Sequence, residues 1–417
     1  MGGIVGSGIF INPYVVAQEV RTDALILGAW VFGGFVALAG AFVYAELSAL
    51  RPEVGGQYAY LREAFHPAVA FVYGWVLLLV TQSGGMAAVA VTFARYFRDL
   101  TGLAATDGAI ATATLLVLVL VNCLGVTSGS RLQGVFMVLK VLAIAGLVAC
   151  GLFLVPRATV APAAGVDPPA TGLLAFGAAL VPVLFAYGGW HTSGFVMGEL
   201  RRPERDMPRA LLLGVAGVIV LYISVNVVCV RALGPVGLAA TATPASAVMR
   251  LALGDRGAAL LALGIAFSTL GFLAQGVLTA PRVYFAMAED GLFFRAVAWL
   301  HPRTRVPVVA IALQGLLAVV IALSGRYEQI LNYVVSVDFI AMGATAAALF
   351  VYRARGEVGS FRTPGHPWTT LFFVVSCWAV VASAIVRHPR DTVVGLGLMI
   401  AGLPAFAFWR RRRALPR

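Results

Sequence analysis

The sequence predicts an all-α integral membrane protein of about twelve membrane-crossing helices, and three observations carry that reading. Only 12% of its 417 residues are charged, 60% are hydrophobic and the mean hydropathy is +0.92, whereas a soluble domain carries about 25% charged residues. Uncharged stretches such as ALILGAWVFGGFVALAGAFVYA (residues 24–45) have the roughly 20 residues that cross ~30 Å of hydrocarbon as a helix. No period-two alternation runs through them, which argues against a barrel.

The first apolar segment, residues 1–18, is interrupted by glycine, and the second, 24–45, is free of charge. Segments at 67–94 and 108–130 follow, then 132–156, which carries Lys140. The sixth, 171–198, is again broken by glycine. Beyond it lie 210–230, then 257–281 with Ser268 and Thr269, 306–325, 329–352 with Asp338, 367–386 and 392–409. The loops are short, and neither a cleavable leader nor a soluble domain is expected.

The net charge of +12 raises the possibility of a polyanion partner, but its distribution points to topology. With the N-terminus in the cytoplasm, 19 of the 30 basic residues fall on the cytoplasmic side and 10 on the other, leaving Lys140 mid-span. That bias fits the positive-inside rule with both termini inside the cytoplasmic membrane, and no nucleic-acid partner is expected. Cys123, Cys150, Cys229 and Cys377 sit in apolar segments without a CxxC pair. They read as small packing residues, not as a disulfide framework or metal site.

Two segments are interrupted at matching places: GSG at Gly6–Gly8 and FAYGGWHTSGF from Phe185. Each opens a block of five segments, so the chain divides into a first repeat over 1–160, a second over 170–355, two added helices over 365–410 and a basic tail over 411–417. Paired broken helices in two halves point to a secondary transporter with inverted repeats and a midplane site. For Gly2 and Gly6 alone, a GxxxG packing face is the competing reading.

Where a helix stops inside a bilayer, its last carbonyls and the next helix's first amides lack partners, and lipid supplies none. They must line a polar cavity. The amides suit a carboxylate and the carbonyls an ammonium group, so one stretch can hold both ends of an α-amino acid. On this reading Gly6, Ser7, Gly8 and Ile9 offer N–H donors, and Ile4, with Phe185 and Gly188 across the cavity, offers carbonyls. Ala186 and His191 belong to the second break, where His191 either faces the substrate or fills space.

Intramembrane polar residues are scarce, and each is a candidate for function. Lys140 lies near the midplane, where it carries a proton or stands in for a bound cation. Ser268 and Thr269 are hydroxyls able to hold its ammonium, although hydroxyls also bond their own helix. Asp338 is either a proton carrier or a tie between helices. Glu46 and Glu199 sit at cytoplasmic helix ends, and Arg282 and Asp290 flank the exit of the eighth segment. They read either as interfacial charge or as gating pairs.

GGIVGSGIFINP, YAELSALRPEVGGQYAYLREAF, LQGVFMVLKVLAIAGL, FAYGGWHTSGFVMGELRRPERDMPRA and APRVYFAMAEDGLFF together resemble the amino acid–polyamine–organocation superfamily, specifically its L-type amino acid transporter branch and bacterial relatives. The resemblance covers residues 1–355. It implies a twelve-helix, LeuT-like fold with five-helix inverted repeats and alternating access, with the substrate carboxylate on the Gly6–Ile9 amides and the amino group on the carbonyls of Ile4, Phe185 and Gly188. Phe185 matches an aromatic lid that also serves as a gate. Lys140 matches a lysine standing where sodium-coupled relatives bind a cation, beside Ser268, which implies sodium-independent transport. Relatives also carry about two helical turns ahead of GSG. The five residues before Gly6 span about 7.5 Å of a ~15 Å leaflet, so the expectation is a start placed too late or a partly missing inner gate.

The expected function is transport of small or medium neutral amino acids, by exchange or with protons. Gln82, Ser83, His191 and Asn332 are side-chain pocket candidates, too permissive to choose a substrate. The lack of several acids argues against polyamines and lysine, an argument Asp338 weakens. A channel or a sensor built on the same fold is the alternative. An enzyme is disfavoured, because there is no HExxH, no P-loop and no mid-membrane carboxylate pair with a histidine. No cofactor is expected, and the oligomeric state is not legible.

Overall fold

The computed structural model describes residues 3–52, 56–124, 129–158, 172–324, 327–387 and 389–414, and its regular structure there is helical throughout. Residues 3–7 run as turns, so α1 (Gly8–Val20) begins only at Gly8. It stops at Arg21, and α2 (Asp23–Leu50) restarts at once. The Thr22 hydroxyl accepts from Leu25 N–H and Asp23 occupies the first turn, which satisfies a terminal donor and meets the positive end of the dipole.

The short α3 (Gln57–Ala64) was not foreseen from sequence. The stretch expected as one rod from 67 to 94 is α4 (Pro67–Val76), a π turn (Leu77–Thr81) and α5 (Gln82–Thr101). A π turn widens the ladder, and hydroxyls fill the gap. Thr81 Oγ1 donates to Val76 O at 3.2 Å and Ser83 Oγ to Leu78 O at 2.6 Å.

Next come α6 (Asp107–Cys123), α7 (Gly129–Phe153) and α8 (Leu173–Tyr187), the last followed by a 3₁₀ segment (Trp190–Glu199). Then α9 (Pro203–Ala239) and α10 (Pro244–Thr279) outrun the apolar stretches that predicted them, because their polar ends stay helical outside the apolar layer. They bend at Gly234 and Gly254. The remainder is α11 (Pro281–Glu289), α12 (Val308–Ser324), α13 (Tyr327–Ala354), α14 (Trp368–Arg387) and α15 (Pro389–Ala414).

Among the described residues, eight helical spans are long and apolar enough to cross a membrane, and three shorter apolar helices accompany them. With α1 they account for all twelve apolar stretches. Leu116, Leu120, Leu142, Leu213, Leu260 and Leu316 point outward and exposed, as lipid-facing side chains must. Inside, α1 packs against α8 and α9, α2 lies along α9, and α10 lies against α5 and α7. That arrangement buries α1, with Ile9, Ile11, Val16 and Val20 wholly covered.

Candidate functional site: a cavity between two broken helices

The two glycine-marked segments, residues 3–7 ahead of α1 and 188–189 after α8, meet backbone to backbone. Gly189 is left-handed (φ 88), and a Cβ there would strike the carbonyl oxygen of Gly3, so only glycine allows the approach. Around this contact lies a cavity of about 820 Å³ including its open mouth. Gly3, Gly6 and Ser7 line it from the first break and Phe185, Gly188 and His191 from the second, while Gln82, Gln275 and Asp338 add polar groups from α5, α10 and α13.

At the first break the N–H groups of Ser7, Gly8 and Ile9 find no backbone acceptor among the described residues. They are the free donors of a helix start. Gly6 differs from the expectation: its N–H closes a tight turn onto Ile4 O at 2.8 Å. Ile4 O also accepts from Tyr222 OH at 3.1 Å, which fills both lone pairs of a carbonyl assigned to the substrate amine. The next carbonyl, Val5 O, accepts from Lys140 Nζ at 3.0 Å. Gly8, Ile9 and Ala186 are not among the residues that line this cavity. A Cβ on Gly8 would come within 2.6 Å of Ala186 Cα, so this glycine serves helix contact, not access to the cavity.

At the second break the caps are local. Gly188 N–H donates to Phe185 O at 3.1 Å, and Thr192 donates to Gly189 O from both N–H (3.4 Å) and Oγ1 (2.7 Å). Ser193 Oγ donates to Trp190 O at 2.6 Å. Phe185 is half-buried and its residue lines the cavity.

The hydroxyls proposed for Lys140 do not hold it. Ser268 Oγ is buried without a partner among the described residues, and Thr269 Oγ1 donates to Ile265 O and Ala266 O of its own helix. For Thr269, bonding to its own helix satisfies the hydroxyl locally. Tyr222 and Phe272, whose ring stands 3.1 Å from where a Gly6 Cβ would lie, were missed. Tyr222 was detectable only as one of three polar side chains, with Ser224 and Asn226, inside the apolar 210–230 stretch. Ser83 serves the π turn, and the side chains of Asn332 and Glu199 lie outside the described residues.

Three ion-pair clusters lie on the face that carries α3. Glu46, 1% exposed, accepts from Arg353 at 2.7 and 3.0 Å and from Thr363 N–H at 2.7 Å. Arg51 bridges Glu63 and Glu357. Asp290 accepts from Arg62 at 2.9 Å and Tyr58 OH at 2.8 Å. Its partners are thus Arg62 and Tyr58, both from α3. Arg282 donates to Leu278 O one turn back. Beside Arg353, burial and that guanidinium hold the His366 imidazole below its ordinary pKa, against the pull of Glu46.

A helical membrane bundle with two glycine-broken segments beside a shared cavity is the arrangement expected of a permease for a small solute. The chain belongs to the amino acid permease family, whose model matches residues 1–405, within the amino acid–polyamine–organocation superfamily. It is 29% identical to the serine/threonine exchanger SteT of Bacillus subtilis, over 99% of this chain and 95% of the relative. It is 28% identical to the human large neutral amino acids transporter small subunit 2, over 99% and 79%. It is also 28% identical to the mouse Asc-type amino acid transporter 1, over 99% and 80%.

Proposed function

We propose that this protein is a secondary active transporter that carries small or medium neutral amino acids across the cytoplasmic membrane by alternating access, as an exchanger or with a proton. One observation carries the reading. Ser7, whose amide has no backbone acceptor among the described residues, lines the cavity where α1 begins, and Gly188, at the carbonyl end of α8, lines it too. A carboxylate belongs at the positive end of the first helix and an ammonium at the carbonyl end of the second. The relatives' printed names, among them an exchanger of serine and threonine, support amino acids as cargo.

Sodium independence is supported by Lys140. Its ammonium is bound to the Val5 carbonyl in the unwound segment, and main-chain carbonyls of this kind are what an alkali cation would coordinate. The basic face with α3 is the cytoplasmic one on the positive-inside argument, and its ion pairs are the inner gate.

Uptake and counterflow in proteoliposomes, with a panel of labelled amino acids, test this reading. Flux that persists in choline and requires internal amino acid marks exchange, and flux driven by external acid marks proton symport. Strict sodium dependence would refute the role of Lys140, and absence of flux for every amino acid would refute the transporter.

A further inference from the structure

His191 and Asp338 share the cavity wall from two different elements, the second break and α13. His191 Nε2 stands 3.9 Å from Asp338 Oδ1, too far for a direct hydrogen bond. Both side chains carry a buried atom with no hydrogen-bond partner among the described residues, Nδ1 on His191 and Oδ1 on Asp338. The histidine side chain is only 5% exposed and that of the aspartate 13%. Ser7 Oγ, in the same cavity, is buried and unpartnered too.

A buried carboxylate and imidazole left in this state are costly, and a helix tie would have closed the gap between them. The arrangement is a donor and an acceptor held one atom apart. An oxygen placed between two atoms at that separation can lie about 2.8 Å from each, a normal hydrogen-bond length. The group that completes it must both donate and accept. A hydroxyl does so, giving its hydrogen to Asp338 and accepting from the imidazole N–H. An aliphatic side chain does neither. An ammonium cannot accept, and it finds a single acid with a competing imidazole beside it.

We infer that His191 and Asp338 form the side-chain subsite of this carrier and select amino acids bearing a hydroxyl over their aliphatic isosteres. The inference rests on the transporter reading above and moves Asp338 from proton coupling to substrate recognition. A site built to bond a polar group discriminates strongly against the analogue that lacks it, because its own buried groups are then left unpaired.

The test compares threonine with valine, and serine with alanine, in counterflow by the full-length protein in proteoliposomes. In the wild type, kcat/KM for threonine should exceed that for valine by about tenfold or more. Asp338→Leu should collapse that ratio towards one, and His191→Leu should reduce it, while His191→Gln, which keeps a donor, should retain part of it. A loss of general structure would lower both substrates together and leave the ratio unchanged. The wild-type ratio needs no variant: a value near one overturns the subsite while leaving the transporter standing. Lysine carried in preference to both overturns it in favour of a cationic side chain. Absence of flux for every amino acid removes both readings.

Discussion

Residues 3–7, ahead of α1, and residues 188–189, after α8, lie beside the same cavity, yet their carbonyls are satisfied by different means. Side chains from helices remote in sequence hold the first: Lys140 of α7 on Val5 O and Tyr222 of α9 on Ile4 O, with Tyr96 of α5 bound to Phe10 O one turn into α1. The second is capped by its own neighbours, Gly188, Thr192 and Ser193, with Asn12 of α1 donating to Pro182 O further back in α8 and Tyr187 OH to Trp30 O of α2. The carbonyls of the first break are thus held chiefly from outside its own segment and those of the second chiefly from within it.

The strongest way to break this contrast is Lys140→Ala. It strips a charged donor from a buried carbonyl, and the expected cost is roughly 1.5–3 kcal/mol, seen as a lower melting temperature in detergent and at least about a tenfold loss of counterflow. Gly189→Ala comes next. Its left-handed backbone and the Gly3 carbonyl in its way predict a loss of about 1–3 kcal/mol and weaker substrate binding, because the two breaks are forced apart.

Tyr222→Phe removes one neutral hydrogen bond to Ile4 O and should cost about 0.5–1.5 kcal/mol, with a modest rise in KM. Thr192→Val sharpens the comparison at its weak end. Gly189 O keeps the Thr192 N–H, so the loss should stay below about 0.5 kcal/mol. If Thr192→Val proved as damaging as Lys140→Ala in the same melting assay, the division into a pinned and a self-capped break would fail.

The twelve apolar stretches were legible because bilayer thickness imposes a length and forbids charge, two properties read directly along the chain. Both breaks were legible through Gly6–Gly8 and Gly188–Gly189, which weaken helices wherever they occur. What the breaks do with their main-chain atoms was not. Ile4 O, assigned to the substrate, is consumed by Tyr222, a partner 218 residues away. The role of Gly8 likewise depends on Ala186 lying against it. Asp290 pairs with Arg62 across 228 residues, a choice no local pattern encodes. The π turn at Leu77–Thr81 sits within a run whose apolar character is uniform, so only the hydroxyls of Thr81 and Ser83 hinted at it.

By itself, the sequence determined that this chain lives in a membrane, where its helices run and which two of them open, since hydrophobicity and glycine act locally, residue by residue. The tertiary structure alone decided which carbonyls remain free, which charges pair, and that His191 and Asp338 face each other across 3.9 Å. Hydrogen bonds and ion pairs depend on ångström-scale distances between side chains from separate helices, and those distances exist only once the bundle has packed.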